Sequence, residues 1–401
     1  NNNGIIAYTN ILFDGSNNHI FFIERQIQNA TMPYSNNQYP LMKNIIKYMK
    51  SSDIYGVSFD PNSVNNESLN KNHFIPMSLN ENSPGNPLYC VPIVKSILIN
   101  NKIYLFYLSN MFNNTNRQSG QHYYVNCSIM DKNKNVNSEN IWFNQITHKL
   151  NKFYLSIDGY SSKDISYPAI PFSYGLDCIQ YDTTKILIIF YFNGDKKRSI
   201  NSAGTLSTRE SFLGSIMYDT ITDQFLYEQN KDASNNNMNL GFYSEFVYST
   251  VSGGSYSFTN YSYVYDINIL LKKTPNGTIK IIVPYNNTEN GINIGSYYNN
   301  PSQINNYTDV LIGNISFNGT NIIIDLKTPN NYSTDNVLKI YSKLGNFPQN
   351  LKNISDNICI DGYYIDDTTL NLAIGSNNTH FNNTTEYLCF LEIKTETNNN
   401  Y

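Results

Sequence analysis

Charge is the scarcest property of this 401-residue sequence. Asp, Glu, Lys and Arg make up only 14% of it, against about a quarter in an ordinary soluble domain. The 27 Lys+Arg are nearly balanced by 31 Asp+Glu, for a net charge of -4. A nucleic-acid binder needs a basic excess to displace counterions from phosphates, so that class is not expected. Tryptophan occurs once, at Trp142. The longest apolar run, 186–192, is far short of the roughly 18 residues that cross a bilayer as a helix. The five cysteines, Cys90, Cys127, Cys178, Cys359 and Cys389, are widely spaced, with no Cys-Xaa-Xaa-Cys pair. That spacing argues against a zinc ribbon. Four of them sit in apolar β-like runs, where thiols act as small hydrophobes; a disulfide between two of them stays open. The five histidines are dispersed, and no paired-histidine motif or calcium loop occurs. There is no phosphate loop and no nucleophile elbow. No metal and no cofactor is expected.

Asparagine fills the gap left by charge, with 67 copies, and tyrosine follows with 34. A disordered chain would lack aromatics and carry more net charge. Part of the Asn, Ile, Tyr and Lys excess fits AT-rich coding. Asn-Xaa-Ser/Thr sequons are plentiful, Asn126, Asn276, Asn314 and Asn318 among them. With so much Asn, Ser and Thr, chance alone supplies about as many, so they weigh little toward a glycoprotein. The chain opens on Asn1 and is read as mature, trimmed or a fragment. Few charges and many amides favour a secreted or extracellular-surface setting.

Strand signals dominate the chain, and one pattern recurs five times. A β-branched or aromatic run enters a short Asn/Asp/Gly turn and returns as a very apolar run. The turns are Asp14-Gly15-Ser16-Asn17-Asn18, Asn100-Asn101, Asp182-Thr183-Thr184, Pro275-Asn276-Gly277 and Asp366-Asp367-Thr368. Tight hairpins need φ > 0, which these residues tolerate. A recurrence of this kind marks repeated units. A third strand is expected at 55–60, 124–131, 213–219, 312–318 and 387–391. A fourth is expected at 74–77, 141–146, 224–228 and 321–326. Residues 41–50 carry Leu41, Ile45, Ile46 and Met49 at helical spacing and predict a short helix. Residues 231–261 read as a long loop or an extra hairpin.

Four antiparallel strands repeated five times describe a five-bladed β-propeller, an all-β fold. It would form one domain over 1–401, with blades near 4–80, 88–150, 168–230, 262–330 and 355–396. Residues 4–8 would close the ring by pairing with the last sheet. A large β-sandwich or two β-domains is the alternative.

For function, three classes follow. Loops rich in Tyr, Asn, Ser and Gly suit recognition of glycans or a cell-surface partner. Tyr256, Tyr261, Tyr263, Tyr297 and Tyr298 are the candidate contacts, with Tyr265 beside them. Low charge also suits self-assembly into a surface layer, fibre, crystal or toxin complex. The enzyme class is the least favoured. Asp177, Asp266 and Asp361 stand near the starts of first strands, where propellers face their channel, and could serve as glycosidase carboxylates.

Overall fold

The computed structural model describes residues 5–28, 41–58, 88–111, 122–133, 142–150, 171–200, 204–229, 245–249, 261–263, 269–288, 306–325, 337–339, 358–377 and 386–394. All the regular structure among them is β, paired antiparallel in five sheets. No helix among the described residues is long and apolar enough to cross a membrane.

Sheet 1 joins β1 (Ile5–Phe13), β2 (Asn18–Gln28) and β3 (Leu41–Lys50). Sheet 2 is the four-stranded meander of β4 (Leu88–Ile99), β5 (Lys102–Met111), β6 (His122–Asp131) and β7 (Trp142–Lys149). Sheet 3 runs through β8 (Pro171–Gln180), β9 (Lys185–Ile200), β10 (Gly204–Asp219) and β11 (Gln224–Gln229). There β12 (Glu245–Ser249) prolongs the outer row by pairing with the other end of β10.

Sheet 4 splits its outer rows in the same way. β13 (Tyr261–Tyr263) and β14 (Leu270–Lys273) both pair with β15 (Ile279–Thr288). β17 (Ile322–Asp325) and β18 (Val337–Lys339) both pair with β16 (Asn306–Phe317). Sheet 5 joins β19 (Ile358–Tyr364), β20 (Thr369–Asn377) and β21 (Glu386–Lys394).

All five expected hairpins form. Their turns use the backbone freedom that the sequence supplies. Asn100 and Asn101 adopt φ of 50° and 64°, and Gly15 adopts 93°. An Asn pair with both φ positive is the two-residue turn whose twist matches the strands it joins.

Three expectations change. Residues 41–50 form β3, not a helix. Every residue of β3 pairs with β2, from His19↔Lys50 to Gln28↔Leu41. Ile46 and Tyr48 are buried and Lys47 is less so, which is period two, not 3.6. β3 therefore supplies the third strand of sheet 1, and residues 55–58 form a turn-rich loop after it. Residues 5–8 do not join the last sheet. Ile5, Ile6 and Tyr8 pair with Arg25, Glu24 and Ile23 of β2, and sheet 5 has three strands among the described residues. The expected strand at 74–77 lies outside the described residues; those at 141–146, 224–228 and 321–326 appear as β7, β11 and β17.

The chain divides into two compact units. One comprises Asn1–Tyr154, Asp182–Lys185 and Asp219–Gln224; the other comprises Leu155–Tyr181, Ile186–Tyr218 and Phe225–Tyr401. In the first, Phe21, Ile23, Ile46 and Tyr48 of sheet 1 pack on Val94, Ile103, Leu105, Tyr107 and Met130 of sheet 2. Tyr104, Phe106 and Leu108, on the opposite face of β5, are buried as well. In the second, Leu187, Ile189 and Met217 of sheet 3 pack on Leu271, Ile279, Ile281, Ile315, Ile322 and Ile324 of sheet 4. Ile186, Ile188 and Phe190 are buried on the other face of β9. Near-continuous apolar strands are what burial of both sheet faces requires. Cys127 is buried within β6, and both Cys127 and Cys178 remain thiols.

Candidate functional site

The turns share one chemistry. At five of them, an Asp or Asn side-chain oxygen accepts backbone N–H groups two and three residues ahead. Asp14 takes Ser16 and Asn17, and Asp182 takes Thr184 and Lys185. Asp219 takes Ile221 and Thr222, Asn318 takes Thr320 and Asn321, and Asp366 takes Thr368 and Thr369. The Asp366 carboxyl is held down to about 2, by the Thr368 N–H first and then by Thr369 and the Thr368 hydroxyl. At Asp182 and Asp219 burial pulls the pKa up, and the turn's hydrogen bonds outweigh it and lower it.

The first turn carries a buried extension. His19 is fully buried between Asp14 and Tyr48. Its Nε2 lies 3.0 Å from Asp14 Oδ2, and its Nδ1 lies 2.8 Å from Tyr48 Oη. Burial raises the Asp14 carboxyl, but His19 and the Asn17 and Ser16 N–H groups hold it down to about 2. An ionised carboxylate only accepts, so Nε2 donates to Asp14 and Nδ1 accepts from the Tyr48 hydroxyl. Burial lowers the His19 pKa, and Asp14 offsets this only in part. Burial likewise raises the Tyr48 phenol. Asp14 is thus charged, and His19 and Tyr48 are neutral, at physiological pH.

This turn braces the loop that follows β3. Asn17 Nδ2 donates to Ser51 O at 2.8 Å, and Asn18 N–H donates to Ser51 Oγ at 2.7 Å. Ser51 Oγ in turn donates to Asp53 O at 2.7 Å. The Asp53 carboxylate accepts Tyr55 N–H at 2.8 Å, Val57 N–H at 3.2 Å and Ser58 N–H at 2.6 Å. Its pKa is lowered: slight desolvation works the other way, and the Ser58, Val57 and Tyr55 donors prevail. Gly56 takes φ of 68°, a left-handed conformation between Tyr55 and Val57. The result is a tied loop that holds Tyr55 and Val57 each 82% exposed and Ile54 51% exposed.

The second unit exposes a smaller pair of the same kind. Tyr363, on β19, is 62% exposed. Its hydroxyl accepts Asn371 Nδ2 at 3.1 Å, from the residue opposite it in the ladder. That bond tethers the hydroxyl while most of the residue stays exposed.

Two of the three acids named from sequence, Asp177 and Asp361, hold strands together. Asp177 is 8% exposed; its Oδ2 accepts Leu271 N–H at 2.7 Å and its Oδ1 accepts Cys178 N–H at 3.0 Å. The first bond joins β8 to β14, the first strands of neighbouring sheets. Asp361 is exposed, and its Oδ1 meets Lys272 Nζ at 2.8 Å, joining β14 to β19. In the first unit Asn10 Oδ1 accepts Ser96 N–H at 3.0 Å, joining β1 to β4. Asn10, Ser96, Asp177, Leu270 and Asp361 occupy equivalent places, three pairs back from their hairpin's closing pair.

Asp266, Tyr256, Tyr265, Tyr297 and Tyr298 lie outside the described residues. Tyr261 and Tyr263 are placed by backbone pairing in β13, opposite Thr288 and Asn286. Asp53, Tyr55, Val57 and Tyr363 were missed from sequence. Ser52-Asp53-Ile54-Tyr55-Gly56 carried a usable signal, a carboxylate followed by a glycine at turn spacing, but the alternation through Phe59 read as strand. Among the described residues, no three His, Cys, Asp or Glu side chains gather as a metal site. No family model and no curated protein matches the chain.

Proposed function

We propose that the sheets are blades of a β-propeller, and that the protein is a secreted or surface-exposed recognition protein that binds uncharged glycans through its turn-bearing loops. Support for the propeller comes from within each unit. First strands lie beside first strands, β1 by β4, β8 by β14 and β14 by β19. Sheet 1 packs on sheet 2 and sheet 3 on sheet 4, and Asn10, Asp177 and Asp361 tie first strands to one another within each unit.

The observation that carries the binding role is the tied loop of residues 51–58. Exposing Tyr55 and Val57 to water forgoes burial of their apolar surface. Yet three N–H groups bonded to Asp53 hold them out in one conformation. A loop ordered in advance loses little entropy on binding. A tyrosine face stacks on the apolar face of a sugar ring, while backbone and amide groups meet its hydroxyls. Tyr363 with Asn371 offers the same pairing on the second unit.

The test is a neutral-glycan array probed with the wild-type protein and with Tyr55→Ala and Val57→Ser. The expected result is binding by the wild type and a loss of about tenfold or more in affinity for Tyr55→Ala, equal to about 1.4 kcal/mol. Thermal unfolding of both variants should match the wild type. Equal binding by wild type and Tyr55→Ala overturns the loop's role. Sugar release from polysaccharides would point instead to a glycosidase. Concentration-dependent light scattering abolished by Tyr55→Ala would point to self-assembly.

A further inference from the structure

We propose that the Asn318–Gly319 bond, in the turn between β16 and β17, is a site of spontaneous deamidation, with water as the only co-reactant. In this reaction the Gly319 backbone nitrogen gives up its proton to solvent base and attacks Asn318 Cγ. A C–N bond forms, the Cγ–Nδ2 bond breaks, and ammonia leaves with a proton from water. The product is a five-membered succinimide. Water then opens either of its carbonyls, giving aspartate or an isoaspartate whose main chain runs through the former side chain.

Four features favour the reaction at this bond. Asn318, Gly319 and Thr320 are all exposed, so base and water reach them. Gly319 lacks a side chain that would hinder attack, and even a Cβ added there would meet nothing within 4 Å. Asn318 Oδ1, where negative charge develops on attack, already accepts Thr320 N–H at 3.1 Å, Thr320 Oγ1 at 3.1 Å and Asn321 N–H at 2.8 Å. Donors aimed at a developing oxyanion lower the barrier to its formation. Finally, Gly319 N–H enters no hydrogen bond among the described residues, so the attacking nitrogen is not held elsewhere.

A second Asn-Gly turn in the same unit serves as an internal control. Asn276 Oδ1 is equally well supplied, accepting from Thr274 Oγ1, Thr278 N–H and Thr278 Oγ1. There, however, Gly277 N–H donates to Thr274 O at 2.8 Å. The two turns share the dipeptide, the exposure and an oxygen with three donors; they differ in the nucleophile, and at the control turn Asn276 N–H also donates to Asp367 Oδ1 at 2.8 Å. The two products at residue 318 differ in consequence. Aspartate reproduces the Asp14, Asp182 and Asp366 turns and keeps the same N–H partners. Isoaspartate adds a carbon to the main chain beside the Phe317↔Ile322 closing pair.

The test ages the full chain, made in a host that adds no N-glycans, in mildly alkaline buffer. Peptide mapping and isoaspartyl labelling then follow both sites over time. Asn318 should convert at least several-fold faster than Asn276 in folded protein, and the ratio should collapse toward one in urea. Thr320→Val, which keeps the shape and removes the hydroxyl donor, should slow residue 318 and leave residue 276 unchanged. Equal rates in the folded protein, faster conversion at Asn276, or a ratio that survives in urea each overturn the proposal.

Discussion

At the scale of single residues, the Asp14–His19–Tyr48 chain makes stability depend on pH. The Asp14 carboxyl falls from 3.8 to about 2 on folding. Its contribution is therefore present above about pH 4 and is lost as pH falls toward 2. His19 is also lowered, from 6.5. Its folded form excludes a proton that the unfolded chain takes up, so its contribution is full above about pH 6.5 and falls away in acid as pH passes through the folded value. Lys50 and Lys132 act on the ring in the same direction. Both groups thus lose stability on acidification, and Asp14 alone carries on the order of 2 kcal/mol at neutral pH. Denaturant titrations across pH should show unfolding free energy falling as pH drops from about 7, with a second fall below about 4. His19→Gln should flatten the first fall and lower neutral stability by about 1–3 kcal/mol, because Asp14 and Tyr48 lose their shared partner. An unchanged profile in His19→Gln would show that the ring titrates as it does in the unfolded chain.

At the scale of elements, the bonds between first strands should separate sharply by burial. Asp177→Ala leaves the Leu271 N–H without its acceptor in a buried place, at a cost of about 1–3 kcal/mol. Asp177→Asn keeps an acceptor oxygen and should recover most of the loss. Asp361→Ala removes an exposed pair with Lys272 and should shift stability by less than about 1 kcal/mol. Chemical denaturation of the three variants measures this order directly, and a larger loss at Asp361 would contradict it. This contrast also shows what was legible in the sequence. The hairpins were, because Asn, Asp and Gly at the turns act locally and have no substitute at φ > 0. The doubly buried β5 and β9 were, because their apolar runs are unbroken. β3 was not, because Leu41, Ile45 and Met49 fall at both spacings, and only pairing with β2 decides between them. The role of Asp177 was not legible either. Its partner, Leu271, is distant in the chain, and a carboxylate within a strand looks the same in sequence whether it faces a channel or a neighbouring N–H; Asp177 in fact stands near the hairpin end of β8, not at its start. Asp53 was hidden for the opposite reason, since its three partners lie within five residues but the strand-like alternation around them masked a turn.

At the scale of the whole molecule, the shortage of charge bears on the proposed binding role. Six of the described acids are spent on backbone: Asp14, Asp53, Asp182, Asp219 and Asp366 accept N–H groups within their own turns, and Asp177 joins two strands. Among the described residues the apolar side chains most exposed are Tyr55 and Val57, followed by Ile221 and Phe390, with Tyr363 and Ile54 also displayed. A net charge of -4 over 401 residues gives little long-range field to steer a charged ligand. Recognition through apolar faces and amides should therefore be almost indifferent to salt. Raising ionic strength from about 0.1 M to 1 M shortens the screening length from about 10 Å to 3 Å and would abolish capture by exposed charges. Retention on an immobilised neutral glycan should change by less than about twofold over that range, since water is released from apolar surface whatever the ionic strength. It should rise modestly in sulfate, which strengthens apolar burial. Affinity that falls steeply with sodium chloride would place the contact on Lys and Arg side chains, and the tied loop at Tyr55 and Val57 would then not be where the partner binds.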